Sequence, residues 1–206
     1  MIEKYSPLVS RVSLDLSPES NCYDFSLFLK SVHSNELLDV IPSKNEILLC
    51  YKQERDMLSK EFLQNAYHLF TKGVLASKNP DTLNLKATIK STEDLKLILN
   101  SNQLSLDDFI NQLSTASFKL DMFGFIPGFM YLDGLPKELH MPRKSSPAYN
   151  CPANSLAIGG QYLGVYKYPS PAGWFIIGQI LNLPSLEKLH TLNRGTKIVF
   201  EFIYEA

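Results

Sequence analysis

The chain has 206 residues, of which 45% are apolar and 20% charged, and its formal net charge at pH 7 is −1. That length can bury one large core or two small ones, and the composition is that of an ordinary globular protein. The charge balance and the lack of a basic run exclude an electrostatic footprint for nucleic acid and disfavour an anionic membrane surface. No apolar run reaches the roughly 18 residues of a membrane span, and residues 1–16 lack the apolar core of a signal peptide. Cys22, Cys50 and Cys151 are odd in number and widely spread, so neither a disulfide framework nor a paired metal spacing follows. The expected setting is a reducing cytoplasm.

Along the chain, Leu8, Ser10, Val12, Leu14 and Leu16 alternate with Val9, Arg11, Ser13 and Asp15, as in a half-buried strand. Cys22, Phe25, Phe28, Leu29 and Val32 recur at helical spacing behind the candidate caps Ser20 and Asn21. Residues 37–41 and 47–51 flank Pro42-Ser43-Lys44-Asn45, which predicts a hairpin. Leu58, Phe62, Ala66, Leu69 and Phe70 make a second helical stripe, with Gly73 placed to end it. The order β-α-β-β-α predicts a small α+β domain with both helices on one face of the sheet. It is expected to end near Ser77-Lys78-Asn79-Pro80-Asp81, a polar stretch with turn chemistry. The expected domains are therefore residues 1–80 and 81–206.

In the second part, Leu83, Leu85, Ala87 and Ile89 alternate as a strand does. Ser91-Thr92-Glu93-Asp94 and Ser105-Leu106-Asp107-Asp108 each place a cap three residues before an acid, predicting short helices near residues 94–99 and 107–113. From Phe118 onward the pattern is of strands and turns, closing with Ile198, Phe200, Phe202 and Tyr204 on one face. The expected class is thus an α+β N-terminal domain followed by a mostly-β barrel domain.

Residues 123–179 stand apart. Eight of the ten glycines lie there, interleaved with prolines and with Phe123, Phe125, Phe129, Tyr131, Tyr162, Tyr166 and Trp174. Glycine permits close approaches and left-handed backbone, while proline fixes φ and lacks a donor, so regular helix is excluded. Short strands joined by stiff turns should hold the rings at set positions, either at barrel corners or around a groove.

The charged and polar groups of this stretch are few. Arg143, between Pro142 and Lys144, sits where its fork either meets a carboxylate or phosphate or pairs with a local acid. Gln161 offers a donor and an acceptor in apolar surroundings, as a site amide or as a satisfied core amide. Phe125 reads as core and Phe129 and Tyr131 as a rim, while Trp174 fits either place. Together Phe129, Tyr131 and Trp174 are expected to wall a groove that Arg143 and Gln161 face. His140 is the one histidine nearby and reads as structural; Cys151, beside Pro152, reads as inert. Gly159-Gly160-Gln161-Tyr162-Leu163-Gly164 lacks the lysine and hydroxyl of a phosphate-cradling loop, and no Gly-x-Ser-x-Gly elbow is present.

The ordered motifs Phe-Gly-Phe-Ile-Pro-Gly-Phe-Met-Tyr-Leu, Met-Pro-Arg-Lys, Cys-Pro-Ala-Asn-Ser, Gly-Gly-Gln, Tyr-Pro-Ser-Pro-Ala-Gly-Trp and Ile-Ile-Gly-Gln resemble the family of the B-type subunit of 5-oxoprolinase. That family also holds allophanate hydrolase subunit 1 and the bacterial inhibitor of sporulation histidine kinase A. The likeness is dense over residues 118–180 and looser elsewhere. It implies a cyclophilin-like β-barrel over residues 81–206. It also implies a hydrolase subunit, inactive alone, of a heteromeric enzyme that opens the cyclic amide C–N bond of 5-oxo-L-proline to give L-glutamate. A homologous C-type subunit and a further subunit would complete that enzyme; ATP would be used by the complex, with no cofactor or metal held by this chain. The regulatory branch implies instead a kinase inhibitor that binds a histidine kinase and suppresses its autophosphorylation.

The positions that match the family pattern include Gly124, Pro127, Gly128, Phe129, Tyr131, Pro142, Arg143, Pro152, Gln161, Ser170, Pro171, Gly173 and Trp174. The departures are Ser114 where relatives have His, Asp133 and Asn154 for glycine, Ala148 and Gln179 for arginine, and Ala172 for glycine. The loss of a histidine and two arginines weighs on catalytic competence more than on fold.

Overall fold

The computed structural model describes residues 1–14, 22–43, 46–54, 58–73 and 81–205. The chain divides into two compact units, Met1–Asn79 and Pro80–Ala206.

In the first unit, β1 (Ile2–Ser6), β2 (Val9–Ser13), β3 (Leu37–Pro42) and β4 (Glu46–Tyr51) form an antiparallel sheet in the order β1-β2-β4-β3. The expected alternation holds within β2, where Ser10 and Val12 are buried, but Leu8 is exposed in the turn before it. Strand β1 has no alternation to read, because Ile2 alone is shielded and the other four positions are exposed. The expected hairpin is β3–β4, with Val40 opposite Leu49.

Helices α1 (Cys22–Val32) and α2 (Lys60–Gly73) share one apolar cluster with the sheet. Phe25 lies at its centre, its ring 5.4 Å from those of Tyr67 and Phe70. The α2 stripe differs from the expected one: Leu69 is 61% exposed, and Leu63, Ala66 and Phe70 are buried. Leu58 precedes the helix but is buried with it, and Leu63 rather than Leu69 completes the stripe. The candidate caps Ser20 and Asn21, the turn residues Lys44 and Asn45, and residues 77–80 lie outside the described residues.

The second unit runs β5 (Thr82–Lys90), α3 (Glu93–Asn102), α4 (Leu106–Thr115), β6 (Phe118–Phe123), β7 (Met130–Asp133), β8 (Ala148–Cys151), β9 (Ser155–Gly159), β10 (Tyr162–Val165), β11 (Ser170–Ala172), β12 (Phe175–Ile180), α5 (Leu186–Leu189) and β13 (Lys197–Glu205). Seven of these strands close into a barrel in the order β10-β7-β6-β13-β5-β12-β9, and β8 and β11 form a separate ribbon. Strands β13 and β5 pair in parallel; the other barrel neighbours are antiparallel.

Both helix starts are capped, since Thr92 Oγ1 accepts from Leu95 N and Ser105 Oγ from Asp108 N. The cap of α3 is Thr92 rather than the expected Ser91. That shift frees Asp94 for other work, described below. Inside the barrel, Leu85, Ala87 and Ile89 meet Met130, Leu132, Leu156, Ile158, Leu163, Val165 and Ile177. Each large apolar side chain among them contributes roughly 1.5–3 kcal/mol by leaving water. At Gly178 a Cβ would stand 1.8 Å from the Thr88 carbonyl oxygen, so β12 closes on β5 only because no side chain is there.

Candidate functional site

Because strand side chains alternate, the residues between those facing the barrel core point outward. On β7, β9, β10 and β12 those outward positions are Tyr131, Ala157, Gly164 and Ile176, which lie side by side across the sheet. They border a second apolar cluster, built from Phe129, Cys151, Ala157, Tyr166, Ala172 and Trp174, with Tyr131, Tyr162 and Ile176 packed against it. Small residues make room for a large one here. A Cβ at Gly159 would lie 2.3 Å from the Trp174 indole, and one at Gly164 2.5 Å from it and 2.9 Å from the Phe129 ring. The two glycines are the seat of the indole.

The rings pack edge to face. Phe129 is centred 4.7 Å from Tyr131, 4.7 Å from Tyr166 and 5.4 Å from Trp174, and Tyr131 lies 5.5 Å from Trp174. Such pairs add about 0.5–1.5 kcal/mol each beyond burial and fix ring orientation.

Phe125 and Phe129 exchange the places expected of them. Phe129 is 1% exposed and Phe125 62%. The cause is the turn that starts at Gly124: Ile126 N donates to Gly124 O and Phe129 N to Ile126 O, and Phe125 takes φ +62°. That left-handed backbone turns the Phe125 ring out of the core while leaving it against Phe129 (5.7 Å) and Tyr166 (6.3 Å). Gly128, at φ +76°, completes the turn and passes close to Lys167 and Leu186. Pro127 is exposed on it.

A strap crosses this region. Gly160 N donates to Met141 O at 2.6 Å, and Lys144 N donates to Gly173 O at 2.8 Å. The Lys144 ammonium donates to Asp94 Oδ2 at 2.6 Å, over the Phe175 ring. Asp94 Oδ2 also accepts from Ile176 N, and Thr92 Oγ1 donates to Ile176 O. The side chains at the start of α3 thus hold both the strap and β12. Pro142 and Arg143, between the two anchors, are exposed.

Arg143 projects its charge onto two phenols. Burial pushes the Tyr131 and Tyr166 hydroxyls above the usual phenol range, and the Arg143 cation partly counters this in both. Burial likewise pushes the Cys151 thiol up, against the pull of Ser155 and Lys144. At neutral pH the Arg143 cation therefore lies near the neutral hydroxyl of the half-buried Tyr131, while the neutral Tyr166 hydroxyl and Cys151 thiol are buried. That set suits recognition of an anion with a hydrogen-bonding edge. It offers no activated nucleophile.

Of the expected site residues, Tyr131, Phe129 and Trp174 come together, with Phe129 and Trp174 buried rather than walling a groove, and Arg143 lies exposed on the strap, its charge reaching the Tyr131 hydroxyl. Gln161 is exposed at the tip of the β9–β10 hairpin, next to Gly160, so the expected apolar surroundings are absent. Pro152 and Ser170-Pro171 shape the β8–β11 ribbon, where Ser170 pairs with Cys151, and Gly173 receives the strap. His140 Nε2 lies 3.1 Å from Leu135 O, a structural contact. Among the described residues, no three His, Cys, Asp or Glu side chains gather as a metal site, and no helix is long and apolar enough to cross a membrane.

Three features escaped the sequence. Asp121, buried at a bulge in β6, accepts from Tyr162 Oη at 2.9 Å and from Arg194 Nε at 2.8 Å. The Asp94–Lys144 pair and the outward Phe125 are the others. Asp121 and Arg194 are 73 residues apart, and no local spacing signals such a pair.

Residues 8–184 match the carboxyltransferase domain, subdomain C and D, family. The chain belongs to that family. Relatives include the B-type subunit of the Bacillus subtilis 5-oxoprolinase, 41% identical over 86 residues, which are 42% of this chain and 36% of that protein. The corresponding Haemophilus influenzae protein is 40% identical over 86 residues, covering 42% and 40%. The matched segment spans less than half the length of either relative. Among solved structures, TTHA0988 superposes on all of this chain and 41% of its own with a TM-score of 0.73 at 22% identity. Kluyveromyces lactis urea carboxylase covers 98% of this chain and 21% of its own, with a TM-score of 0.66 at 13% identity. At these identities the likeness is one of fold.

Proposed function

We propose that this chain is a B-type subunit of an ATP-dependent, cytoplasmic 5-oxoprolinase, inactive alone and completed by a homologous C-type subunit and a further subunit. The observation that supports the reading is the exposed Arg143 on the strap anchored by Met141 and Lys144, near enough to the half-buried Tyr131 for its charge to reach that hydroxyl. In this reading the guanidinium holds the carboxylate of 5-oxo-L-proline and the half-buried Tyr131 phenol meets its lactam, over the buried Phe129, Tyr166 and Trp174 rings. Three relatives named as B-type subunits of 5-oxoprolinase, at 39–41% identity over 85–86 residues, support it. In this reading ATP is assigned to another subunit, in keeping with Gly159 to Gly164 forming the β9–β10 hairpin.

The departures from the family pattern fall outside this set. Ser114 is exposed near the end of α4, Ala148 starts β8, and Gln179 donates from β12 to Ala153 O in the turn before β9. The test is reconstitution with the two other subunits, following glutamate release from 5-oxoproline with and without ATP. ATP-dependent release that needs all three chains supports the proposal. Failure to co-purify, together with slowed autophosphorylation of a histidine kinase by this chain alone, favours the regulatory reading.

A further inference from the structure

The barrel is closed, yet one of its strands is only partly paired on one side. Strand β13 pairs with β5 from Lys197 through Glu205, but with β6 only at Lys197 and Ile198. Among the described residues, no strand pairs with residues 199–205 on the side away from β5. The parity of the backbone groups follows from two bonds. Thr196 O accepts from Leu120 N on the β6 side, and Lys197 N donates to Asp81 O on the β5 side. Alternation then directs the N–H and C=O groups of Phe200, Phe202 and Tyr204 to the open edge. Natural sheets cover, charge or bend such edges, because an uncovered one is a template for another strand.

The side chains around the edge have a defined chemistry. On the barrel side, Phe200 and Phe202 stack at 5.1 Å, and Tyr204 continues the row at 41% exposure. On the outer side, Glu201 and Glu205 flank the exposed Ile203; Lys86 and Lys90 of β5 neutralise them from one side only. A cavity of about 260 Å³ opens at the head of the edge, lined by Leu113 to Phe118 and Lys197 to Phe200.

We infer that residues 199–205 accept an added strand from a partner protein chain, with basic residues set four apart opposite Glu201 and Glu205 and apolar residues between. A second copy of this chain fits poorly. Because β6 blocks the edge at Ile198, two antiparallel copies can align over residues 199–205 only about Phe202. That register brings four carboxylates and no cation to the shared seam. A partner strand with two lysines or arginines sets cations beside Glu201 and Glu205 on the side away from Lys86 and Lys90, while its backbone satisfies Phe200, Phe202 and Tyr204. The inference uses a different face of the barrel from the proposed site and stands whether or not that reading holds.

The test uses a fluorescein-labelled peptide, acetyl-Lys-Val-Thr-Val-Lys-Val-Thr-amide, and its counterpart with Glu in place of Lys. Fluorescence anisotropy should show the basic peptide binding at least tenfold more tightly than the acidic one. The exposed double substitution Glu201→Lys with Glu205→Lys should reverse that preference, with the circular dichroism of the barrel retained. Amide hydrogen exchange should slow at Phe200, Phe202 and Tyr204 on binding. Equal affinity for both peptides, binding without protection of those three amides, or their protection by self-association of the free chain would overturn the inference.

Discussion

The two faces of the same barrel strands carry different kinds of side chain. Inward, Met130, Leu132, Leu163 and Val165 are aliphatic or thioether groups whose contribution scales with area removed from water. Outward, Tyr131, Tyr162 and Tyr166 alternate with them among glycines that admit an indole, the first two half-buried and Tyr166 buried. The inner face needs volume; the outer face needs placement. A barrel requires only the first to close, so the second is where function is sought.

Truncating the inner face should have the largest effect on stability. Leu163→Ala, at a fully buried position, is expected to cost about 2–5 kcal/mol in urea unfolding, leaving the ring arrangement outside intact in the folded fraction. A loss confined to well under 1 kcal/mol would mean that the inner face is not the main source of stability. Adding one carbon on the outer face should cost less, about 1–3 kcal/mol for Gly164→Ala, because the Trp174 and Phe129 rings must move. Trp174 is the only tryptophan, so its emission should shift in Gly164→Ala and stay unchanged in Leu163→Ala. The reverse pattern would dissolve the distinction between the faces.

A smaller effect separates the tyrosines by pH. Ordinary phenols ionise near pH 10, while burial keeps Tyr131 and Tyr166 protonated to higher pH. The unfolded chain releases those two protons first. Their contribution to stability is therefore complete below about pH 10 and is lost as pH rises toward the folded-state values. Absorbance at the phenolate band should show two late-titrating groups, delayed further in Arg143→Met, which removes the countering cation. Two phenols that titrate identically in Arg143→Met and wild type would place Arg143 away from them.

Much of this was legible in the sequence, and the failures have physical causes. The alternation of Leu83 to Ile89, the 3.6-residue stripe of α1 and the cap of α4 are local signals. They survive because each element buries one face. The Gly/Pro stretch correctly announces short strands and seated rings, and Asn154, at φ +60°, takes the left-handed backbone that suits the glycine expected there from the family pattern. The exchange of Phe125 and Phe129 was not legible: both are phenylalanines in one turn, and only the left-handed backbone at Phe125 decides which is buried. The surroundings of Gln161 were misjudged because a hairpin tip and a strand interior share the same flanking glycines. Asp121 with Arg194, and Asp94 with Lys144, are pairs created by barrel closure, which leaves no mark at short range.

The central claim, that the outer face recognises a carboxylate through Arg143, is tested most directly by steady-state kinetics of Arg143→Lys in the reconstituted three-subunit assembly. Loss of the bidentate contact of about 1–3 kcal/mol should lower kcat/KM for 5-oxo-L-proline by roughly 5- to 150-fold, with the melting temperature of this chain unchanged. Unaltered kcat/KM in a folded, assembled Arg143→Lys enzyme would contradict the account and leave the outer aromatic face as barrel architecture alone.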